Sequence, residues 1–336
     1  MSNSIRQPIT SSELGNLWMT YQDKTMLMRF LEYFLENAEN EPSRKILQSY
    51  YDRSIENVEF VKKIFKAEGA VIPEGFSVND VNKGAPKLFD STYDVMYLHM
   101  MTKIGIGLYA LYSTMSYRQD IRQFFKQLTS EAQEAYDQAT NFLLETGVLS
   151  RPPFVSMPKE VTFVHDKQYL DGMNWFSSDR SLNTIEISLI YHAIETNLTG
   201  MQLMIGFAQV AQAQDVRKHF IKGMDLSKKI ETSLGEFLRQ DYIEPPATYA
   251  GKASNSTIPP FSDKLMMYNT SLLTTFGLGS NALGGAFSLR SDLPTKMTLL
   301  AKNIYDFAKQ GGKIMIKHGW MEKPPQIEDR KELTGK

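Results

Sequence analysis

The histidines and carboxylates are the residues of this sequence best suited to chemistry. The chain has five histidines and no cysteine, which excludes disulfides, thiolate catalysis and Cys-ligated metal sites. A di-iron or di-manganese centre in a helical bundle needs a Glu-x-x-His pair on each of two helices. The residues three positions before the histidines are Met96, Thr162, Leu189, Val216 and Met315. The sequence therefore lacks the usual di-metal motif.

A weaker set of candidate ligands lies in the second half of the chain. His192 and Glu195 are three positions apart, so on a helix they share a face. Asp225 or Glu231 on the next helix and Asn269 on the one after it are placed to face them. This set predicts an irregular site for iron, manganese or zinc, as the alternative to our main expectation of no cofactor. The competing interpretation of His192 is a partly buried histidine held by a hydrogen bond.

A second candidate is the string GLGSNA at residues 277–282, which satisfies the G-x-G-x-x-G/A fingerprint of a dinucleotide site. That fingerprint needs a buried strand before the glycines. Here the preceding FSDKLMMYNTSLLTTF is typical of a helix, so we interpret the glycines as helical. A glycine inside a helix costs about 1 kcal/mol relative to alanine. Either the close approach of a neighbouring helix or a local widening that admits a ligand would offset this cost.

The elements that position these residues occur twice in the chain. Adding 173 to the number of Glu13 gives Glu186, and long stretches match with an offset of 173 or 172. Further matching pairs are Phe34/Phe207, Gly105/Gly277, Arg118/Arg290, Asp120/Asp292, Gly147/Gly319 and Pro152-Pro153/Pro324-Pro325. Self-similarity of this kind indicates an internal repeat. We predict one domain over residues 1–158, a linker over 159–182 and a second domain over 183–336.

Each repeat is typical of four helices. The first helix opens with a capping box, TSSE at residues 10–13 and NTIE at 183–186. The second helices are predicted over 43–68 and 215–240, and the third over 89–116 and 261–288. The connections are short, long and short in turn, and a long second connection lets the third helix start parallel to the second. The fold class is therefore predicted to be all-α, with two tandem ferritin-like four-helix bundles. Each bundle has one long crossover between helices 2 and 3.

Composition limits the classes of partner. The formal net charge is -1 and 42% of the residues are hydrophobic, so bulk charge does not favour nucleic acid or an anionic membrane. The first residues lack the apolar segment of a signal peptide, and no run approaches the roughly 18 apolar residues of a membrane span. We expect a cytoplasmic protein with no nucleic-acid partner and no membrane span. Its expected contacts are a protein partner or homo-oligomer and an intramolecular pseudo-dimer of the two bundles.

Seven stretches along the chain carry a family resemblance. They are SSELGNLW, VNKGAPKLF, KIGIGLYAL, SYRQDIR, RPPFVSMPKEVTFV, PPFSDKLMMYN and GWMEKPPQIEDRKEL. Over residues 10–330 the chain resembles a family of tandem ferritin-like proteins of unknown function from spore-forming relatives of Bacillus, distantly similar to spore coat protein F. The resemblance implies a ferritin-like fold and a spore-former setting, and it carries no catalytic residues.

Two functions follow as expectations. The first is a non-catalytic structural or binding protein associated with the spore or with stress. The alternative is a divergent metal- or small-ligand-binding protein, or an oxidase, with an irregular site in the second bundle. The two differ in whether polar groups point into that bundle.

Overall fold

The computed structural model describes residues 7–90, 92–172, 180–247 and 251–335, so part of the predicted linker, residues 173–179, lies outside it. Within these ranges the chain is helical and contains no strand. The helices are α1 (Ser11–Asn37), α2 (Glu41–Ala67), α3 (Tyr93–Thr114), α4 (Gln119–Glu145), α5 (Thr184–Val210), α6 (Gln214–Gln240), α7 (Asp263–Phe287), α8 (Asp292–Lys317) and α9 (Arg330–Leu333). None of the helices described is long and apolar enough to cross a membrane.

The predicted capping boxes start α1 and α5. In α1 the Thr10 hydroxyl accepts a hydrogen bond from the Glu13 N–H (3.3 Å), and Glu13 Oε2 accepts one from the Thr10 N–H (2.7 Å). The buried Glu13 carboxylate also accepts a hydrogen bond from the backbone N–H of Arg118 (2.7 Å). Glu186 makes the equivalent bond to Arg290 (3.1 Å). In both repeats one carboxylate therefore ties the start of the first helix to the turn between the third and fourth.

The helices assemble into two bundles, α1–α4 and α5–α8, and each bundle has its long connection after its second helix. The third helix of the first repeat, predicted from residue 89, begins only at Tyr93. The reason is tertiary: Asp90 donates its backbone N–H to the carbonyl of Lys252 in the other repeat (3.0 Å). The sequence around residue 89 is compatible with a helix, but the hydrogen bond to the other repeat keeps this backbone segment out of the helix.

The two crossover connections pair with each other. Val81 forms an antiparallel bridge with Phe261, and Phe89 forms one with Ala253. Adding 172 to 81 and 89 gives 253 and 261, so each bridge is the symmetry-related copy of the other. The equivalent backbone bonds have matching lengths, with Asn82 N to Pro260 O at 2.7 Å and Ser254 N to Leu88 O at 2.8 Å. The contact between the repeats is thus a pseudo-twofold one.

One side-chain contact marks the pseudo-twofold axis. Asn269 Nδ2 donates a hydrogen bond to Tyr97 Oη (2.8 Å), and both residues are fully buried. Since 97 plus 172 is 269, the two are equivalent positions. Equivalent residues touch each other only near a twofold axis. The two repeats therefore pack as a pseudo-dimer inside one chain.

A continuous apolar core crosses this interface. The ring of Phe30 in α1 lies 4.8 Å from that of Tyr97 in its own repeat. It also lies 4.2 Å from the ring of Phe261 and 6.1 Å from that of Phe207 in the other repeat. Separating the repeats would expose these rings to water, so burial of this shared core stabilises the pseudo-dimer.

We expect Glu186→Gln to destabilise the protein in a pH-dependent way. Burial favours the neutral acid, but hydrogen bonds from Arg180 and from the backbone of Asn183 and Arg290 outweigh it and lower the pKa of Glu186 from 4.5 to about 2. A lowered pKa stabilises the fold above pH 4.5, and that contribution disappears as the pH falls towards 2. The loss at pH 7 is about 3 kcal/mol.

Chemical denaturation of wild type and Glu186→Gln at pH 7 and at pH 3 measures this difference. The control is Glu160→Gln, because Glu160 is exposed in the linker. A destabilisation of equal size at both pH values would contradict the assignment of the effect to the Glu186 charge.

Candidate functional site

The predicted metal ligands lie in different surroundings. Glu195 Oε1 is 2.9 Å from the ammonium of Lys103 in α3, so a cation of the first repeat already pairs with it. His192 precedes Glu195 by one turn of α5, whereas Asn269 lies at the pseudo-twofold axis and Asp225 is exposed on α6. Among the described residues, no three His, Asp or Glu side chains are grouped to hold a metal ion. The irregular metal site stays a prediction.

Two histidines lie near Lys103, of which His99 is buried and His192 is half-buried. Burial lowers the pKa of His192, and the charge of Lys103 lowers it further. The same two causes lower the pKa of His99 to about 4. The His99 ring stacks on Tyr136 at 4.4 Å, and its Nε2 has no hydrogen-bond partner in the described part of the chain. His99 is therefore uncharged at neutral pH and packs as a flat ring.

A cavity of about 100 Å³ lies inside the second bundle. All four helices α5–α8 contribute to its wall, together with Met100 of α3. The polar part of the lining comes from hydroxyl and amide side chains such as Thr196, Asn197 and Asn281, and no ionisable side chain takes part. The site therefore suits an uncharged and mainly apolar molecule.

The GLGSNA string borders this cavity at one of its two glycines. Gly277 lines it, and a Cβ added there would meet no atom within 4 Å. Gly279 is equally free, so the close approach of a neighbouring helix does not explain either glycine. In the first repeat a Cβ at Gly105 would lie 3.0 Å from the ring of Tyr109, which belongs to the same helix. At Gly277 the structure therefore agrees with a local widening of the bundle.

The first bundle is filled at the corresponding place. Lys24 is 1% exposed, and its Nζ lies 3.2 Å from Tyr50 Oη. The same ammonium lies 4.6 Å from the centre of the Tyr50 ring and 5.2 Å from that of Tyr109, in cation–π contact with both. A lysine and two tyrosines thus close the interior of the first bundle.

Smaller residues replace these side chains in the second bundle. The equivalent pairs, at offsets of 173 and 172, are Lys24/Asn197, Leu27/Gly200, Tyr50/Gly223 and Tyr109/Asn281. Phe307, which stands where the first repeat has Ala135, refills part of the space: a Cβ on Gly223 would lie 2.9 Å from its ring. No such replacement occurs at Gly200, where a Cβ would meet nothing within 4 Å. The cavity is what remains after this partial refilling.

Two buried polar atoms of the cavity lining lack partners among the described residues. They are Thr196 Oγ1 and Asn281 Oδ1. Asn281 is 6% exposed, and its Nδ2 donates a hydrogen bond to the Gly277 carbonyl (2.8 Å), which leaves the oxygen free. An unsatisfied buried group costs about 1–3 kcal/mol. A ligand that donates a hydrogen bond to Asn281 Oδ1 would remove this cost.

Sequence reasoning missed the cavity because it relied on the identities between the repeats. The useful signal was in the differences, namely large core residues in one copy set against glycine or asparagine in the other. These differences can be interpreted only once it is known which residues of the two repeats occupy equivalent places in their bundles. Gly277 was singled out, whereas Asn197, Gly200 and Gly223 were not.

Comparison with known proteins shows which family the chain belongs to. The profile of a family described as "Protein of unknown function (DUF3231)" matches residues 2–161 and again residues 170–333. The chain belongs to this family. The double match confirms the tandem repeat. No curated protein matches the sequence significantly.

One solved structure is similar to part of this DUF3231 protein. It is the crystal structure of "a putative spore coat protein" from Bacillus halodurans, with 19% sequence identity and a TM-score of 0.42. The match covers 45% of this chain and 98% of that chain, which is about the length of one repeat.

Two glycine substitutions in this DUF3231 protein are expected to have opposite effects on stability. Gly200→Ala places its methyl group in open space and gains helix propensity, so the free energy of unfolding should rise by about 1 kcal/mol. Gly223→Ala sets a methyl group 2.9 Å from the Phe307 ring and 3.0 Å from the Met204 sulfur, and we expect a loss of about 1–3 kcal/mol. Urea denaturation checks both values, and a destabilising Gly200→Ala would contradict an open cavity.

Metal analysis tests the irregular site around His192. We expect less than one equivalent of iron, manganese or zinc in untagged protein, with no change in His192→Ala, because Lys103 already pairs with Glu195. Inductively coupled plasma mass spectrometry gives the metal content directly. Near-stoichiometric metal that is lost in the variant would establish the site.

Proposed function

We propose that this protein is a non-catalytic binding protein whose second bundle holds a small, uncharged, mainly apolar ligand. The observation that supports the proposal is the cavity at the place where the first bundle is closed by Lys24, Tyr50 and Tyr109. Apolar cavities of about 150 Å³ stay dry and bind benzene in an engineered protein. The cavity here is smaller, about 100 Å³, so it suits a ligand no larger than one aromatic ring.

The lining sets the chemistry of this ligand. Leu273, Ile304 and Phe307 offer apolar contacts to its body. The free Oδ1 of Asn281 accepts a hydrogen bond, so the ligand carries a hydroxyl or N–H donor. A charged ligand is disfavoured because no side chain of opposite charge lines the cavity to offset its desolvation.

The same lining favours binding over catalysis. General acid–base catalysis needs an ionisable side chain within hydrogen-bond reach of the reacting atom. The residues of the cavity wall include no His, Asp, Glu, Lys, Arg or Tyr. The groups present are able to orient a ligand but not to exchange protons with it at neutral pH.

We also propose a ferritin-like arrangement for each bundle and a role in the cytoplasm of a spore-forming cell, in the spore or under stress. The first part is supported by the order of connections, in which the long one follows α2 and α6. The second is supported by the family resemblance of the seven sequence stretches. Following a fluorescent fusion of the chain through sporulation tests the setting.

Titration with phenol and toluene tests the ligand proposal. Phenol donates a hydrogen bond and toluene does not, so we expect both to bind and phenol to bind about fivefold more tightly, which corresponds to about 1 kcal/mol. Gly200→Leu, which restores the leucine of the first repeat, should weaken both at least tenfold. Ligand-observed NMR measures the affinities.

Two further variants keep this test specific. Gly107→Leu changes an exposed helical glycine outside the cavity and should leave both affinities unchanged. Asn281→Leu should remove the advantage of phenol while toluene still binds. If phenol and toluene bind Gly200→Leu as well as wild type, the cavity is not the binding site.

A further inference from the structure

A second opening lies between the two bundles. It is a groove of about 350 Å³ formed by α1 and α3 of the first repeat and α7 of the second. Phe276 and Ser280 line both this groove and the cavity of the second bundle, so α7 separates the two spaces. Most of the groove wall is apolar, with Leu108, Leu272 and Leu283 along its length.

One carboxylate lies in the wall of this groove. Asp23 is 6% exposed, and its Oδ1 accepts a hydrogen bond from Tyr268 Oη (2.9 Å). No described residue donates a hydrogen bond to Oδ2, and none forms an ion pair with Asp23. The second repeat has Thr196 at the equivalent position, so the bundle fold does not require a carboxylate here.

The symmetry-related edge of the interface shows what this edge lacks. There, the ammonium of Lys103 is 2.9 Å from Glu195. The residue equivalent to Lys103 is Thr275, which lines the groove, and the residue equivalent to Glu195 is Gln22, next to Asp23. No lysine or arginine lines the groove. One edge of the pseudo-dimer therefore pairs a carboxylate with a cation of the protein, whereas the other presents a carboxylate to an apolar groove.

We propose that the groove binds an organic amine, with its ammonium group at Asp23 and its apolar body along Leu108, Leu272 and Leu283. The carboxylate supplies charge complementarity, and a charge-assisted hydrogen bond of this kind is about twice as strong as a neutral one. The apolar wall provides most of the contact area, which selects amines with a hydrocarbon or aromatic part. This site is independent of the cavity in the second bundle.

The protonation state of Asp23 sets the conditions of the test. Burial raises the pKa of Asp23 to about 7, against the opposing effects of the Tyr268 hydrogen bond and the charge of Lys24. At pH 8.5 the carboxylate is therefore mostly ionised, while a simple alkylamine is still protonated. Binding is best measured there.

Calorimetric titration at pH 8.5 with 2-phenylethylamine and its neutral isostere 2-phenylethanol tests the proposal. We expect the amine to bind wild type at least tenfold more tightly than the alcohol. Asp23→Asn keeps an oxygen for the Tyr268 hydroxyl and should remove this preference without abolishing binding of the alcohol. Equal affinities in wild type, or a preference that survives in Asp23→Asn, would overturn the proposal and leave Asp23 as a counter-charge to Lys24.

A pair of glycine variants locates the binding. Gly279 lines the groove, and a Cβ there meets no atom within 4 Å, so Gly279→Phe should block the amine. Gly107→Phe changes the equivalent position of the first repeat, which is outside the groove, and should bind the amine normally. Gly200→Leu closes only the cavity and should also bind it normally, which separates failure of this proposal from failure of the cavity proposal.

Discussion

The two crossover connections pair with each other in antiparallel fashion, and the arrangement of the helices around them follows from this contact. Residues 80–90 and 252–262 satisfy one another's backbone hydrogen bonds where they run beside the shared core. Unpaired backbone groups at such a place would be costly. The pairing sets where α3 begins, holds Phe89 and Phe261 in the core, and places Tyr97 against Asn269 on the pseudo-twofold axis. The pseudo-dimer is therefore part of the fold of each repeat rather than an association of two finished domains.

Within this symmetric backbone the two interiors are packed differently. The first bundle buries Lys24 against two tyrosine rings. The second has asparagine and glycine at the same level and keeps an open volume with unsatisfied polar atoms. A tandem repeat allows this division, because one copy and the shared interface maintain stability while the other tolerates the cost of a cavity.

Buried histidines serve the packing of this protein through their flat rings. His99 stacks on Tyr136, and His219 lies 4.1 Å from Phe307 with nearly parallel planes. Burial lowers the pKa of His219 to about 4, as it does for His99, so both rings stay neutral. In this protein, the presence of a histidine in a helix is therefore weak evidence for a metal site. The binding sites proposed above use the uncharged Asn281 and the carboxylate of Asp23 instead.

The sequence was enough to predict the helical class, the internal repeat and the capping residues, because these follow from local periodicity and from identities such as Glu13/Glu186. It also showed that GLGSNA belongs to a helix. Only the folded structure shows where α3 begins, because inter-repeat hydrogen bonds compete there with the helix. It alone showed that Asn269, a predicted metal ligand, lies on the axis with Tyr97. The cavity and the groove were also hidden from sequence, because an empty volume depends on which side chains meet across helices distant in the chain.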